Sequence, residues 1–213
     1  MPFSEIEQRC RPYLEDLLRI VIDQGDGRFT GNLFYVDLTA AKGLVPDESL
    51  RWKRENLAAL SKDAKSGLEI GFAAGHSALL MLLSNPNLML TVVDPCEYRH
   101  TVPCFEYLKE KFPGRLAFVS GYSPSALASL EDQAYDLVHL DGGKDLTIRG
   151  DLDAIKRLVK TGHVLCVDDT QNPGVDAEVT RRVSRRELVV SDFAEMNSRS
   201  MQSVWTHCIC RYN

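Results

Sequence analysis

Four aspartates and one small-residue loop stand where chemistry could be done. Asp94, Asp141 and the adjacent pair Asp168 and Asp169 each follow a short apolar run, and Gly71-Phe72-Ala73-Ala74-Gly75 follows another. A carboxylate in such a place can accept hydrogen bonds from hydroxyls, take up a proton or ligate a hard cation. Glycine lets the backbone turn tightly and approach a ligand closely. Taken alone, the loop is a strand-to-helix turn as readily as a binding loop. Asp94 changes its reading, because it lies about twenty residues further on, where an acid holds ribose hydroxyls in nucleotide-binding α/β proteins. A dinucleotide site would favour the spacing G-x-G-x-x-G, with backbone N–H groups facing pyrophosphate. Here the second glycine comes four residues after the first and Glu69 stands just before the loop. That arrangement suits a cofactor without phosphate.

The elements that must carry these residues are legible as alternating patterns. Leu68 to Gly71, Leu88 to Val93, Leu116 to Ser120, Tyr135 to Leu140 and Val164 to Val167 are short apolar runs that end at Gly71, Asp94, Gly121, Asp141 and Asp168. Between them, Ser77 to Leu83, Val102 to Phe112, Ser123 to Leu130 and Leu146 to Val159 read as helices, with Ser123 a candidate cap. Strands alternating with helices imply crossovers, a parallel sheet and helices on both faces. In such a sheet ligands bind beyond the carboxyl ends of the strands. The tail departs from this: after a helix over Asp176 to Arg186, the runs Leu188 to Phe193 and Val204 to Arg211 predict two strands. Their link is too short for a helical crossover, so they are expected to pair as an antiparallel hairpin. Before the sheet, Ile6 to Val21 and Leu50 to Leu60 have helical spacing, giving an N-terminal helical cap or lid over residues 1–65 and a main domain over 66–213. Phe29 to Asp37 and Trp52 are the candidate lid residues.

Asp141, Asp168 and Asp169 end neighbouring strands, so three carboxylates are expected to converge. Like charges repel unless something positive sits among them. Oxygen donors favour Mg²⁺, Ca²⁺ or Mn²⁺ over zinc, while the same acids can also cap helices or bind water.

Composition narrows the function classes. With 213 residues, 44% of them hydrophobic and 26% charged, the chain can build a sizeable core. A formal net charge of -5 argues against nucleic acid as a partner. The one basic cluster, Arg181, Arg182, Arg185 and Arg186, fits a solvated helix face. Six cysteines without a C-x-x-C pair suggest free thiols in a reducing compartment. The N-terminus lacks a signal-peptide pattern and no run reaches a membrane-span length. These readings predict a cytoplasmic protein without membrane or nucleic-acid partners.

Leu68 to Ser77 resembles motif I of S-adenosylmethionine (SAM)-dependent methyltransferases. Gly71 to Leu80 is similar to the O-methyltransferase-like group called methyltransferase family 24. Phe112 to Leu116, Asp136 to Gly143 and Val167 to Thr170 extend the likeness over about residues 53–176. The resemblance implies a Rossmann-like class I methyltransferase fold, with a mostly parallel seven-stranded sheet and a C-terminal antiparallel hairpin. It implies that Glu69, Gly71, Ala73 and Gly75 lie at the methionine end of SAM, that Asp94 holds the ribose, and that Gly121, Tyr122 and Ser123 flank the adenine, with His76, Ser77 and Asp141 also at the cofactor. The acids resemble the metal site of catechol and caffeoyl-CoA O-methyltransferases, and Asp168-Asp169 resembles the macrocin-type sugar O-methyltransferases. Asp141-Gly142-Gly143-Lys144-Asp145 likewise matches the Asp-x-x-Lys-Asp pattern in which the lysine is the general base, whereas family 24 relatives read Asp-Gly-Gly-His there. The expected reaction is methylation of a small hydroxylated acceptor, with Lys144 and Asp141 catalytic, and a homodimer is compatible with it. A metal-independent enzyme using Asp169 or His139 as base, a SAM-binding protein without activity and an NAD-dependent enzyme remain as alternatives.

Overall fold

In the computed structural model the residues described are 2–25, 33–143 and 147–213. Lys144, the expected base, and residues 29–32 of the candidate lid lie outside them.

The chain opens with α1 (Phe3–Gln24), whose buried Ile6, Cys10, Leu14, Leu17, Leu18 and Val21 recur at helical spacing. Two further N-terminal helices follow, α2 (Leu38–Gly43) and α3 (Arg51–Ser61). The alternating part then runs β1 (Ser66–Ile70), α4 (His76–Ser84), β2 (Met89–Asp94), α5 (Thr101–Lys111), β3 (Leu116–Ser120), α6 (Ser123–Leu127), β4 (Tyr135–Leu140), α7 (Ile148–Leu158), β5 (Val159–Asp168) and α8 (Pro173–Ser184). It closes with β6 (Leu188–Val189), α9 (Ala194–Ser200) and β7 (His207–Tyr212). These strands form one sheet in the order β3-β2-β1-β4-β5-β7-β6. The first five are parallel, and β7 runs antiparallel to both β5 and β6. This is the expected sheet.

Successive residues of a strand face opposite sides, and here they feed two cores. Leu90, Val92, Leu116 and Leu137 pack with α1, α3, α4 and α5. Leu68, Ile70, Val93, Val138 and Leu140 pack with α6, α7 and α8 on the other face. Among the described residues no helix is long and apolar enough to cross a membrane.

Four local expectations are corrected. Ser123 does not cap α6; Tyr122 occupies that position without a side-chain cap, and Ser123 opens the helix ahead of Pro124. The strand expected to start at Val164 starts at Val159, directly after α7, and an irregularity between Tyr135 and Leu137 keeps it paired with β4. The strand expected over Leu188 to Phe193 is only Leu188–Val189, because Ser191–Phe193 forms a 3₁₀ turn that leads into α9. A seven-residue helix therefore does fit into the hairpin link, although the pairing stays antiparallel, with Leu188 opposite Tyr212. Finally, Arg182 is not solvated: at 2% exposure it binds Glu178 and Asp153.

Gly71 shows why the first loop needs glycine. Its φ is +94°, and a Cβ there would lie 2.4 Å from the Asp141 carbonyl oxygen. The close approach brings the β1 and β4 ends together, with Asp141 N–H donating to the Ile70 carbonyl at 2.8 Å. Gly71→Ala is expected to destabilise the fold by about 2–4 kcal/mol, from backbone strain plus overpacking, measured as a lowered urea midpoint. A midpoint shift equivalent to less than about 0.5 kcal/mol would show that the two loops can separate freely.

Candidate active site

Two neighbouring features are built at the strand ends. The first is a cleft of ≈ 740 Å³ along the ends of β1, β2 and β4, within the range of small-ligand sites. Its walls include Gly71, Ala73, Asp94, Gly121, Tyr122, Ser123 and Asp141. Asp94 is held by backbone donors: Oδ2 accepts from Phe72 N–H at 2.8 Å and Ala73 N–H at 3.1 Å, and Oδ1 accepts from Cys96 N–H at 2.7 Å. The glycine loop and the β2 carboxylate are thus one unit. Tyr122 stands exposed at the rim, and its hydroxyl donates to Glu97 at 3.0 Å. Asp94, Glu97 and Asp141 make the cleft acidic, and no lysine or arginine lines it among the described residues.

The second feature is a buried polar seam beneath α3. Glu69 and His139 are register partners on β1 and β4, and Asp168 and His207 are partners on β5 and β7. All four are under 9% exposed. His139 Nδ1 is 3.0 Å from Glu69 Oε1, and its Nε2 lies 3.8 Å from Asp168 Oδ2, an ion-pair rather than a hydrogen-bond separation. From α3, Lys53 places its ammonium 2.6 Å from Asp168 Oδ1 and 3.0 Å from Asp169 Oδ1. One turn on, Asn56 reaches the His207 ring at 2.9 Å and donates to the Met196 carbonyl at 3.1 Å. Gln171 adds a donor to Asp169 at 2.8 Å. Asp169 has a left-handed φ of 56°, which aspartate tolerates better than most residues, and its N–H donates to Asp168 Oδ1 at 2.9 Å.

Burial works against charge on His139, but Asp168, Glu69 and Asp141 more than offset it and raise its pKa to about 10. Burial also opposes ionisation of Asp168, yet Lys53 and His139 hold its pKa below the ordinary carboxylate range. His207 is lowered to about 4, chiefly by burial.

Residues 68–170 match the methyltransferase family 24 model, which describes a methyltransferase domain. Over these residues the chain is similar to a methyltransferase domain. Solved structures agree at the level of fold. The O-methyltransferase of Bacillus cereus, in complex with S-adenosylhomocysteine, superposes with a TM-score of 0.66 at 12% identity, over 97% of this chain and 96% of that one. The O-methyltransferase TomG of Streptomyces achromogenes, in complex with SAM, gives 0.60 at 16% identity, over 93% and 87%. The methyltransferase PaMTH1 of Podospora anserina, bound to S-adenosylhomocysteine, gives 0.62 at 13% identity, over 100% and 98%. No curated protein sequence matches the chain significantly.

Of the residues read as cofactor contacts of the methyltransferase domain, Gly71, Ala73, Asp94, Gly121, Tyr122, Ser123 and Asp141 line the cleft. Glu69, Gly75, His76 and Ser77 do not. His76 opens α4 with its ring edge-on to Phe34 and Tyr35, and burial lowers its pKa to about 3. Phe34 and Tyr35, from the candidate lid, are core residues. Of the expected metal ligands, Asp141 stands at the cleft, while Asp168 and Asp169 lie in the seam. His139, Asp141 and Asp168 each offer a donor atom within 4.8 Å of the others, a different trio from the one expected. Sequence reading missed Lys53, Asn56 and the cleft residue Asn172. The only available signal was the three-residue spacing of Lys53 and Asn56, which puts both polar groups on one face of α3.

The shifts have a definite sign. Stability from the raised His139 is fully present below its ordinary value near 6.5 and is lost as pH rises through about 10. Nitrogen-15 NMR at pH 8 should therefore show a charged His139 ring, while His76 and His207 are already neutral at pH 6. A neutral His139 at pH 8 would contradict the seam as described.

Proposed function

We propose that the chain is a SAM-dependent methyltransferase acting on the hydroxyl of a small acceptor. The observation that carries this reading is the charge of the cleft. Three carboxylates and no described cation line a nucleoside-sized space at the switch point of the sheet. Such walls repel a pyrophosphate and favour a cationic nucleoside. The cofactor also fits Asp94, whose carboxylate is fixed at the strand end by three N–H groups.

When bound, SAM supplies an electrophilic methyl group on sulfonium and departs as S-adenosylhomocysteine. The residues of the chain do the rest. Asp94 would accept hydrogen bonds from the ribose hydroxyls, and the small residues Gly71 and Ala73 would let the ligand approach the loop. Gly121, Tyr122 and Ser123 would flank the base. Asp141 lines the cleft, and we assign the acceptor's proton to Asp141 together with Lys144. The alternative bases are engaged elsewhere, since His139 is held charged between acids and Asp169 is paired with Lys53 and Gln171. Orientation supplies most of the rate gain in such a transfer.

A divalent cation fits less well. The donor trio His139, Asp141 and Asp168 is close enough to suggest one, but Lys53 already stands on Asp168 and Asp169, and His139 is committed to Glu69. No step here is routed through a metal.

Calorimetry with SAM, S-adenosylhomocysteine and NAD tests the reading. The two adenosyl-sulfur ligands should bind and NAD should not. Asp94→Ala should weaken SAM by roughly 10- to 100-fold, the loss of hydrogen bonds to a charged group. Binding of NAD alone would overturn the assignment.

A further inference from the structure

Deepening that reading, and resting on it for the nature of the reaction, we propose that Lys53 is the resident cation of the acid cluster. Its ammonium occupies the place between Asp168 and Asp169 that a divalent ion would take, so the protein excludes divalent metals there and works without one.

The geometry is specific. Lys53 Nζ is 2.6 Å from Asp168 Oδ1 and 3.0 Å from Asp169 Oδ1, both charge-assisted contact distances. The lysine side chain is only 8% exposed and the two acids 6% and 8%. A lysine buried to this degree requires a paired partner, because an isolated buried charge is very costly. The arrangement is also anchored on every side. Asn56, one turn along α3, holds His207, the register partner of Asp168. Gln171 holds the Asp169 oxygen that faces Lys53, and itself accepts from Thr206 N–H at 2.9 Å. On the far side Asp168 Oδ2 faces His139. A cation entering this set would meet an ammonium on its approach to two of the three expected ligands. Lys53 comes from α3, outside the residues that match the family model, so the matched part of the chain obtains it from the N-terminal segment.

One consequence concerns the acceptor. Chelation of a metal needs two adjacent oxygens, and a tethered ammonium does not. Under this assignment a single hydroxyl suffices.

Mn²⁺ paramagnetic resonance on the full chain tests the proposal without any knowledge of the acceptor. The wild-type protein should leave the free Mn²⁺ signal unchanged at millimolar metal, and so should Lys53→Arg, which retains the cation. Lys53→Ala should take up Mn²⁺, and adding Asp168→Asn should abolish that uptake. Stoichiometric Mn²⁺ binding by the wild type that is lost in Asp168→Asn would overturn the proposal, as would a folded Lys53→Ala protein that binds no metal. If Lys53→Ala fails to fold, the wild type and Lys53→Arg decide: exclusion of Mn²⁺ by both supports the assignment, and uptake by either refutes it. Calorimetry with S-adenosylhomocysteine in EDTA runs alongside. Failure there removes the cofactor reading and leaves the metal result standing, so the two failures are distinguishable.

Discussion

The contact of Lys53 with Asp168 and Asp169 is the constraint around which the site is arranged. Parallel strands covered by helices on both faces have no solvent side. The alternation that turns Leu68, Ile70, Val138 and Leu140 toward α7 therefore turns Glu69 and His139 toward α3, into the interior. Polar groups in that position must find partners or be very costly. Glu69 finds His139, His139 faces Asp168, and Asp168 finds Lys53. The chain of contacts crosses the sheet and ends on a helix from the N-terminal segment. That segment is thus tied to the β5 end by charge as well as by the apolar packing of α1 and α3 against α4.

Buried ion pairs are poor evidence of stability, since an apolar replacement of similar volume is often neutral or better. What they supply here is position. Removing Lys53 would leave two buried acids side by side without a counter-charge. Asp169 accepts a left-handed backbone as part of the same arrangement. The neighbouring cleft follows the opposite rule. Asp94 stands at the wall of an open space and is fixed by backbone N–H groups, whereas Asp168 and Asp169 are held by a buried lysine.

That distinction marks the limit of what the sequence could show. The strands over Leu116 to Ser120 and Tyr135 to Leu140 were legible to the residue, because glycine, proline and aspartate punctuate apolar runs. The cleft was legible too: Gly71, Ala73, Asp94, Gly121, Tyr122, Ser123 and Asp141 all stand in one short-range pattern of strand ends. The C-terminal hairpin was partly legible. Its pairing followed from the short link, but Ser191 to Ser200 carries enough helix-forming residues to interrupt the first run. Lys53 was beyond reach. It meets Asp169 across 116 positions, and in α3 it sits among the polar residues Arg51, Arg54, Glu55 and Asn56, which look like a solvated stretch. Burial of Lys53, Arg54 and Asn56 is a tertiary fact, set by which helix face the sheet's own acids attract.

A tethered ammonium and a divalent ion solve the same repulsion differently. The ion brings two charges and open coordination positions, so it can gather an acceptor's oxygens and lower the pKa of a bound hydroxyl. The ammonium brings one charge and no coordination positions, and it is engaged with Asp168 and Asp169 before any ligand arrives. Selection of the acceptor must then come from the cleft walls, and removal of its proton from the side chains beside them. Asp141 is the point where the two features meet, since it lines the cleft and lies close to both His139 and Asp168. Of the expected trio it is the acid that stands at the cleft, which is why the proposed proton transfer is assigned there.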